Sequence, residues 1–287
     1  MNTNNNDKNS QNNSNTTIRN LNPKEIYGDP NTDIELKISN GGAGPTGIIR
    51  KLAEDYISSL KNPNFHISWY QNISNISLSL VIEKLVDLSL VYEPKEVKEA
   101  IDNNLINKNM NRIFNDHFIL VGPKDNSLNI TSKDSIESTF EKIYKYSEES
   151  NNKFTFLSRD DLSGTNTKER YIWSKINKTP YDLKWYLKYT VFPKEALIKA
   201  DEEGLYTITD FGTWLATLNL IRNTQIYTRG GEIMLNPCLA IMQKDPSQIA
   251  VDFMNYLVSA NAQNLIKEFG KETYSQPFYT CANQMDF

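Results

Sequence analysis

Two stretches of this chain share one plan: an apolar strand, a loop of Gly, Ser, Thr and Asn, and then a helix. They cover residues 39–46 and 158–165. A strand that runs into a helix through a short loop is the repeating unit of α/β layers, so the plan constrains the fold more than any other feature. Around these stretches the same alternation continues. Residues 34–39 alternate apolar and polar as a strand does. Ile48, Ile49, Leu52, Ala53, Tyr56, Ile57 and Leu60 then keep the helical period, with Pro45 in the first turn. Residues 65–70, 86–92, 117–121, 154–157, 206–210 and 239–242 read as further strands. Residues 77–84, 94–103, 136–146, 166–176, 193–203 and 247–269 read as helices. The expected class is α/β with mostly parallel sheet.

Composition narrows the chemistry. The chain has 287 residues, 31 Lys+Arg against 35 Asp+Glu, two His and two Cys. So few, well-separated His and Cys exclude a Cys/His zinc site and a disulfide framework. The formal charge of −4 offers no basic surface to nucleic acid. No apolar run approaches the ~18–20 residues that span a bilayer. Ten of the first 22 residues are Asn, with almost nothing apolar, so residues 1–32 are expected to be disordered. They hold no apolar h-region of a signal peptide, and a cytoplasmic location is therefore expected.

The two loops carry the functional signal. A helix N-terminus leaves up to four N–H groups without intrahelical partners and holds about half a positive charge. Small residues let an anion approach those groups, and hydroxyls add donors. The candidate ligand donors are Ser39, Asn40, Gly41 and Gly42 in one loop, and Ser158, Arg159, Ser163, Gly164 and Thr165 in the other. Asn72 and Ser74, after the strand 65–70, could complete the set. A capped helix start is the plain alternative for each loop, and an ion pair with Asp160 or Asp161 is the alternative for Arg159. Neither loop has the Gly-Lys-Ser/Thr ending of a P-loop, and no dinucleotide fingerprint occurs. His117 reads as a core or hinge histidine, His66 as lying on the opposite strand face, and Cys238 as a small buried apolar residue. No nucleophile elbow or catalytic triad is present, so no catalytic residue, metal or cofactor is expected.

The run Ser158-Arg-Asp-Asp-Leu-Ser-Gly-Thr-Asn-Thr-Lys-Glu169 resembles the S-R-x-D-x-S-G/A-T-x-x-K-E signature of tungstate/molybdate-binding solute receptors. Residues 116–124, 206–214, Asn236-Pro237 and 258–266 fit the same family. The resemblance implies a two-lobed, type II periplasmic-binding-protein fold with mixed, mostly parallel sheets and an anion held in a cleft between lobes. On that analogy lobe one comprises 33–117 and 239–287, and lobe two 118–238, with crossings near 118–123 and 235–242. It also implies tungstate or molybdate as ligand and a monomer as the expected state. Two departures stand out: Ser39-Asn40-Gly41-Gly42 replaces a Thr-Thr-Thr-Ser run, and Phe211 replaces an Arg. The Asn-Gly-Gly-Ala-Gly loop and the missing export signal resemble a eukaryotic branch of the family, which argues against a transporter partner. Two other readings remain: a degenerate scaffold whose cleft takes a protein partner, and a metabolic enzyme on the same fold.

Overall fold

A computed structural model describes residues 22–150 and 153–284. The chain forms two compact units, Met1–Ile113 with Cys238–Leu265, and Phe114–Pro237 with Ile266–Phe287.

In the first unit, strands β1 (Glu25–Tyr27), β2 (Ile34–Asn40), β3 (Phe65–Gln71) and β4 (Leu88–Val91) lie in the order β1-β3-β2-β4. β2 runs parallel to both β3 and β4, whereas β1 runs antiparallel to β3. Helix α1 (Ile48–Ser59) buries Ile48, Ile49, Leu52, Ala53 and Tyr56, the face its periodicity predicts. The Tyr56 ring meets Phe65 and Phe253 at centroid distances of 5.8 and 5.1 Å. Helices α2 (Ser74–Ile82) and α3 (Pro94–Asp102) complete a second apolar cluster with Tyr70, Val81, Val91, Val97 and Ile241.

In the second unit, β5 (Asn111–Pro123) enters from the first and pairs antiparallel with β8 (Thr207–Asp210) and β9 (Thr224–Arg229). Helix α4 (Ile136–Glu149) packs Phe140 and Ile143 against Phe156 and Trp173. β6 (Phe156–Ser158) leads through residues 159–163 into helix α5 (Gly164–Lys175) and pairs in parallel with β7 (Tyr186–Lys188). Helices α6 (Pro193–Glu203) and α7 (Phe211–Thr217) flank β8, and β10 (Leu235–Met242) returns to the first unit, where it pairs antiparallel with β4. Helices α8 (Gln248–Leu257), α9 (Ala260–Glu268) and α10 (Lys271–Tyr274) follow, and β11 (Thr280–Cys281) closes on β5.

The expected alternation of strand and helix is present, and the sheets are mixed, as the expected fold class has it. Parallel ladders join β2 to β3 and β4, and β6 to β7, and a single parallel bridge links Phe156 to Tyr206. β8, β9 and β11 return along β5 in the opposite sense, a pattern the apolar runs do not encode. Of the tail expected to be disordered, residues 1–21 lie outside the described residues. Within 22–32, Glu25, Ile26 and Tyr27 pair with Trp69, Ser68 and Ile67, so this part is a strand. The stretch 239–287, expected to stay with the first unit, divides at 265/266. Its end belongs with the second because Thr280 and Cys281 pair with Asn115 and Phe114, and Thr280 Oγ1 lies 2.9 Å from His117 Nε2. His117 and Cys238 are fully buried, as a core histidine and a small apolar residue should be.

One glycine shows how tightly the first loop is seated. Gly44 begins the 3-10 turn before α1, and a Cβ there would fall inside the indole of Trp69, itself buried in β3. Gly44→Ala should therefore destabilise the protein by about 1–3 kcal/mol, read from denaturant unfolding against wild type.

Candidate functional site

In the first unit, β2 ends at Asn40, whose side chain bonds the fold at both its nitrogen and its oxygen. Its Nδ2 donates to Leu90 O at 2.9 Å, and its Oδ1 accepts the Gly44 N–H at 2.7 Å. The buried Ser39 hydroxyl donates to Tyr70 O at 3.1 Å and lies 2.9 Å from Ser77 Oγ. Both residues hold the loop rather than offer donors to a ligand. Ser74 Oγ accepts the Tyr92 N–H at 3.3 Å and also bonds the Glu93 carboxyl, which burial raises above its ordinary range. Asn72 is latched by its backbone, donating to Asn40 O at 3.0 Å. What remains open is backbone. The N–H groups of Gly41 and Gly42 have no protein acceptor among the described residues, and Gly42 is exposed with open space around its Cα. Gly41 must stay small, since a Cβ would come within 2.7 Å of Asn72 O.

The second loop is built around a buried carboxylate. Glu169, 3% exposed, accepts the Ser158 hydroxyl at 2.6 Å and Asn166 Nδ2 at 3.4 Å on one oxygen. Its other oxygen accepts Trp173 Nε1 at 3.1 Å and the Tyr186 hydroxyl. Burial pushes the Glu169 carboxyl up to about 7, although all four donors favour its charged form. Ser158 Oγ in turn accepts Asn166 Nδ2 at 3.1 Å and the Asp160 N–H at 3.2 Å, and Asn166 Oδ1 accepts the Leu162 N–H at 3.2 Å. The two ends of the loop are thus tied to one carboxyl group from inside. Asp160 and Leu162 adopt φ of 45° and 59°, a left-handed backbone that these bonds hold in place.

Arg159 lies across the loop. Its Nε donates to Val191 O at 2.9 Å, its Nη1 to Ser163 Oγ at 3.3 Å, and its Nη2 pairs with Asp161. The ion-pair alternative is realised, yet a guanidinium has five N–H groups and these contacts occupy three. Asp161 also accepts the Ser163 N–H at 3.0 Å. Asp160 is occupied elsewhere, by Arg170 at 2.6 Å and Lys188 at 3.8 Å. Ser163 precedes α5 but its side chain does not cap the helix. The N–H groups of Gly164, Thr165 and Asn166, and the half-buried Thr165 hydroxyl, have no protein acceptor among the described residues. Lys168, one turn on, is turned away and donates to Ile233 O at 2.5 Å and Leu235 O at 3.3 Å; burial lowers its pKa.

Of the eleven residues expected to bind, Gly41, Gly42, Ser163, Gly164 and Thr165 present open donors, Arg159 keeps part of its fork, and Asn72 is held through its backbone N–H. Ser39, Asn40, Ser74 and Ser158 direct their side chains into the protein. Sequence reasoning assigned no individual role to Glu169, Asn166 or Trp173, and read Tyr186 only as a core or pocket-lining ring. The i, i+3 and i, i+4 spacing of Asn166, Glu169 and Trp173 is the one signal that places them on a common helix face. Among the described residues no group of His, Cys, Asp and Glu could hold a metal ion, and no helix is long and apolar enough to cross a membrane.

A periplasmic protein of known crystal structure superposes with a TM-score of 0.82 at 30% identity, covering 91% of this chain and all of its own. Residues 27–261 match the PBP superfamily domain. The chain belongs to this family. Tungstate-binding protein TupA of Peptoclostridium acidaminophilum is 34% identical over 177 residues, which is 58% of each chain. The match therefore spans little more than half the length of that relative. The structure of TupA from Desulfovibrio alaskensis G20 shares the fold, with a TM-score of 0.77 and 22% identity over 86% of this chain and 98% of that one. The two TupA relatives are named as binding proteins, in keeping with a sequence in which no catalytic set is found.

The buried carboxyl gives a pH signature. Its folded-state value of about 7 lies above the ordinary 4.5, so its neutral form favours folding. That contribution is complete below about pH 4.5 and is lost as pH rises through 7, amounting to roughly 3 kcal/mol. Glu169→Gln should remove this fall, so the stability difference between variant and wild type, from chemical unfolding at pH 4.5 and 8, should shift in favour of the variant at the higher pH.

Proposed function

We propose that this protein binds a small, fully deprotonated tetrahedral oxyanion, with tungstate or molybdate as the favoured ligands. The reading is carried by one observation: every open group at the start of α5 can donate, and no carboxylate beside them is left unpaired to accept. The N–H groups of Gly164, Thr165 and Asn166 and the Thr165 hydroxyl stand free, while both neighbouring carboxylates, Asp160 and Asp161, are already paired. An anion without a proton needs donors alone, whereas a protonated phosphate also needs an acceptor. The helix N-terminus and the remaining N–H groups of Arg159 suit the first kind. The names of the TupA relatives support the same ligand class.

Calorimetry with tungstate, molybdate, sulfate and phosphate tests the reading. Tungstate and molybdate should bind, and phosphate should bind more weakly than either. If no oxyanion binds tighter than about millimolar, roughly −4 kcal/mol, the reading fails, and a scaffold devoted to a protein partner takes its place. Thr165→Val keeps the shape of the side chain and removes one open hydroxyl. It should weaken tungstate binding by about tenfold, the worth of one hydrogen bond to a charged group, without lowering stability.

A further inference from the structure

Ser135, Ser163, Asp210 and Ser247 each precede a helix, α4, α5, α7 and α8 in turn, on the same extended backbone. Their φ lies between −66° and −83° and their ψ between 153° and 169°. At three of them the side chain accepts the N–H three residues on, from Ser138 at 3.1 Å, Thr213 at 2.7 Å and Ala250 at 3.4 Å. That is the ordinary use of Ser or Asp at a helix start. Ser163 has the backbone for it, and its carbonyl already accepts the Thr167 N–H at 2.8 Å. Its hydroxyl nevertheless does not cap, and the N–H it would take, that of Asn166, has no protein acceptor among the described residues. Arg159 makes the difference. Its guanidinium is anchored on two sides, by Nε on Val191 O at 2.9 Å and by Nη2 on Asp161. Nη1 is thereby aimed at Ser163 Oγ, 3.3 Å away. A charged donor makes a stronger hydrogen bond than a neutral N–H, so the hydroxyl is drawn off the helix.

Resting on the oxyanion reading above, we propose that Arg159 is a positioning residue that keeps Ser163 from capping α5, so that the Asn166 N–H stays open for an anion. Without this hold the Ser163 oxygen falls into the place an anion oxygen would take, as the Ser135 and Ser247 oxygens do at their own helices. The role is distinct from the charge Arg159 lends a ligand, because it depends on the planar fork reaching Val191, Asp161 and Ser163 at once. Asp161 supports it from the other side, accepting the Ser163 N–H at 3.0 Å and so fixing the residue whose hydroxyl is held. The Arg159 and Asp161 side chains are only 11% and 15% exposed, which shields the arrangement from water. With its oxygen turned to Nη1, the Ser163 hydroxyl keeps its own hydrogen for the ligand.

The test combines Arg159→Met with Ser163→Ala in the full chain and reads it in two ways. Without ligand, amide exchange followed by NMR should show the Asn166 N–H exchanging about fivefold more slowly in Arg159→Met than in wild type, since Ser163 now caps it. The double variant should return it to the wild-type rate. In calorimetry with tungstate, Ser163→Ala should weaken binding in wild type, where it removes a donor. In the Arg159→Met background the same change should strengthen binding by about fivefold, because there it removes a competitor for the Asn166 N–H. A merely structural Arg159 gives one sign in both backgrounds. If Arg159→Met does not fold, Arg159→Lys takes its place, keeping a cation opposite Asp161 without the planar fork. If it binds tungstate too weakly to titrate, the amide exchange alone decides. An Asn166 amide indifferent to Arg159, or a Ser163→Ala effect of the same sign in both backgrounds, overturns the inference and leaves oxyanion binding intact. Failure of wild type to bind tungstate or any other oxyanion overturns the function proposed above and this inference with it.

Discussion

A carboxylate with no cation beside it organises the second unit. Glu169 is buried among Ser158, Asn166, Trp173 and Tyr186, which belong to two strands and one helix. Burying a charged group without a counter-ion is costly unless its oxygens are fully hydrogen-bonded, so these four donors are bound to their places. The consequence reaches the loop before α5, because Ser158 precedes it and Asn166 lies in the first turn of the helix that follows. A core interaction thereby sets the shape of an exposed loop and leaves the N–H groups at the start of the helix uncapped.

The first unit reaches a similar end by different means. The Asn40 amide bridges Leu90 O and the Gly44 N–H, and the Gly44 Cα lies flat against Trp69. Side-chain polarity is consumed in holding the backbone, and the groups left over are the N–H groups of Gly41 and Gly42. The hydroxyls expected there from the family pattern are thus replaced by amides, a substitution that keeps donors while removing side-chain bulk. Both loops therefore offer hydrogens and no available carboxylate, which is why a mildly acidic chain can present sites suited to an anion.

Much of this was legible in the residues. The helical face of Ile48, Ile49, Leu52, Ala53 and Tyr56 is buried as its period demands, and the strands at 34–39 and 65–70 form with small shifts at their ends. The strands that were not read, Glu25–Tyr27, Tyr186–Lys188, Thr224–Arg229 and Thr280–Cys281, are short or mostly polar, and they become strands because a neighbour completes their hydrogen bonding. β5 extends six residues earlier than its apolar run, since Asn115 and Asp116 interrupt the run without interrupting the ladder. At the candidate site, the loops and the small residues in them were visible, but the direction of each hydroxyl was not. Ser39, Ser74 and Ser158 look identical in sequence to Ser163, and only their neighbours turn the first three inward.

The sequence by itself determined the α/β class, the two strand–loop–helix segments and the family signature from Ser158 to Glu169, because these depend on local period and on residues close in the chain. The tertiary structure decided which donors stay free. Phe65–Gln71 meets Asn40 across some thirty residues, and Tyr186 meets Glu169 across seventeen. A hydroxyl donates to whichever acceptor the folded chain brings within about 3 Å, and no rule of local spacing can choose that acceptor in advance.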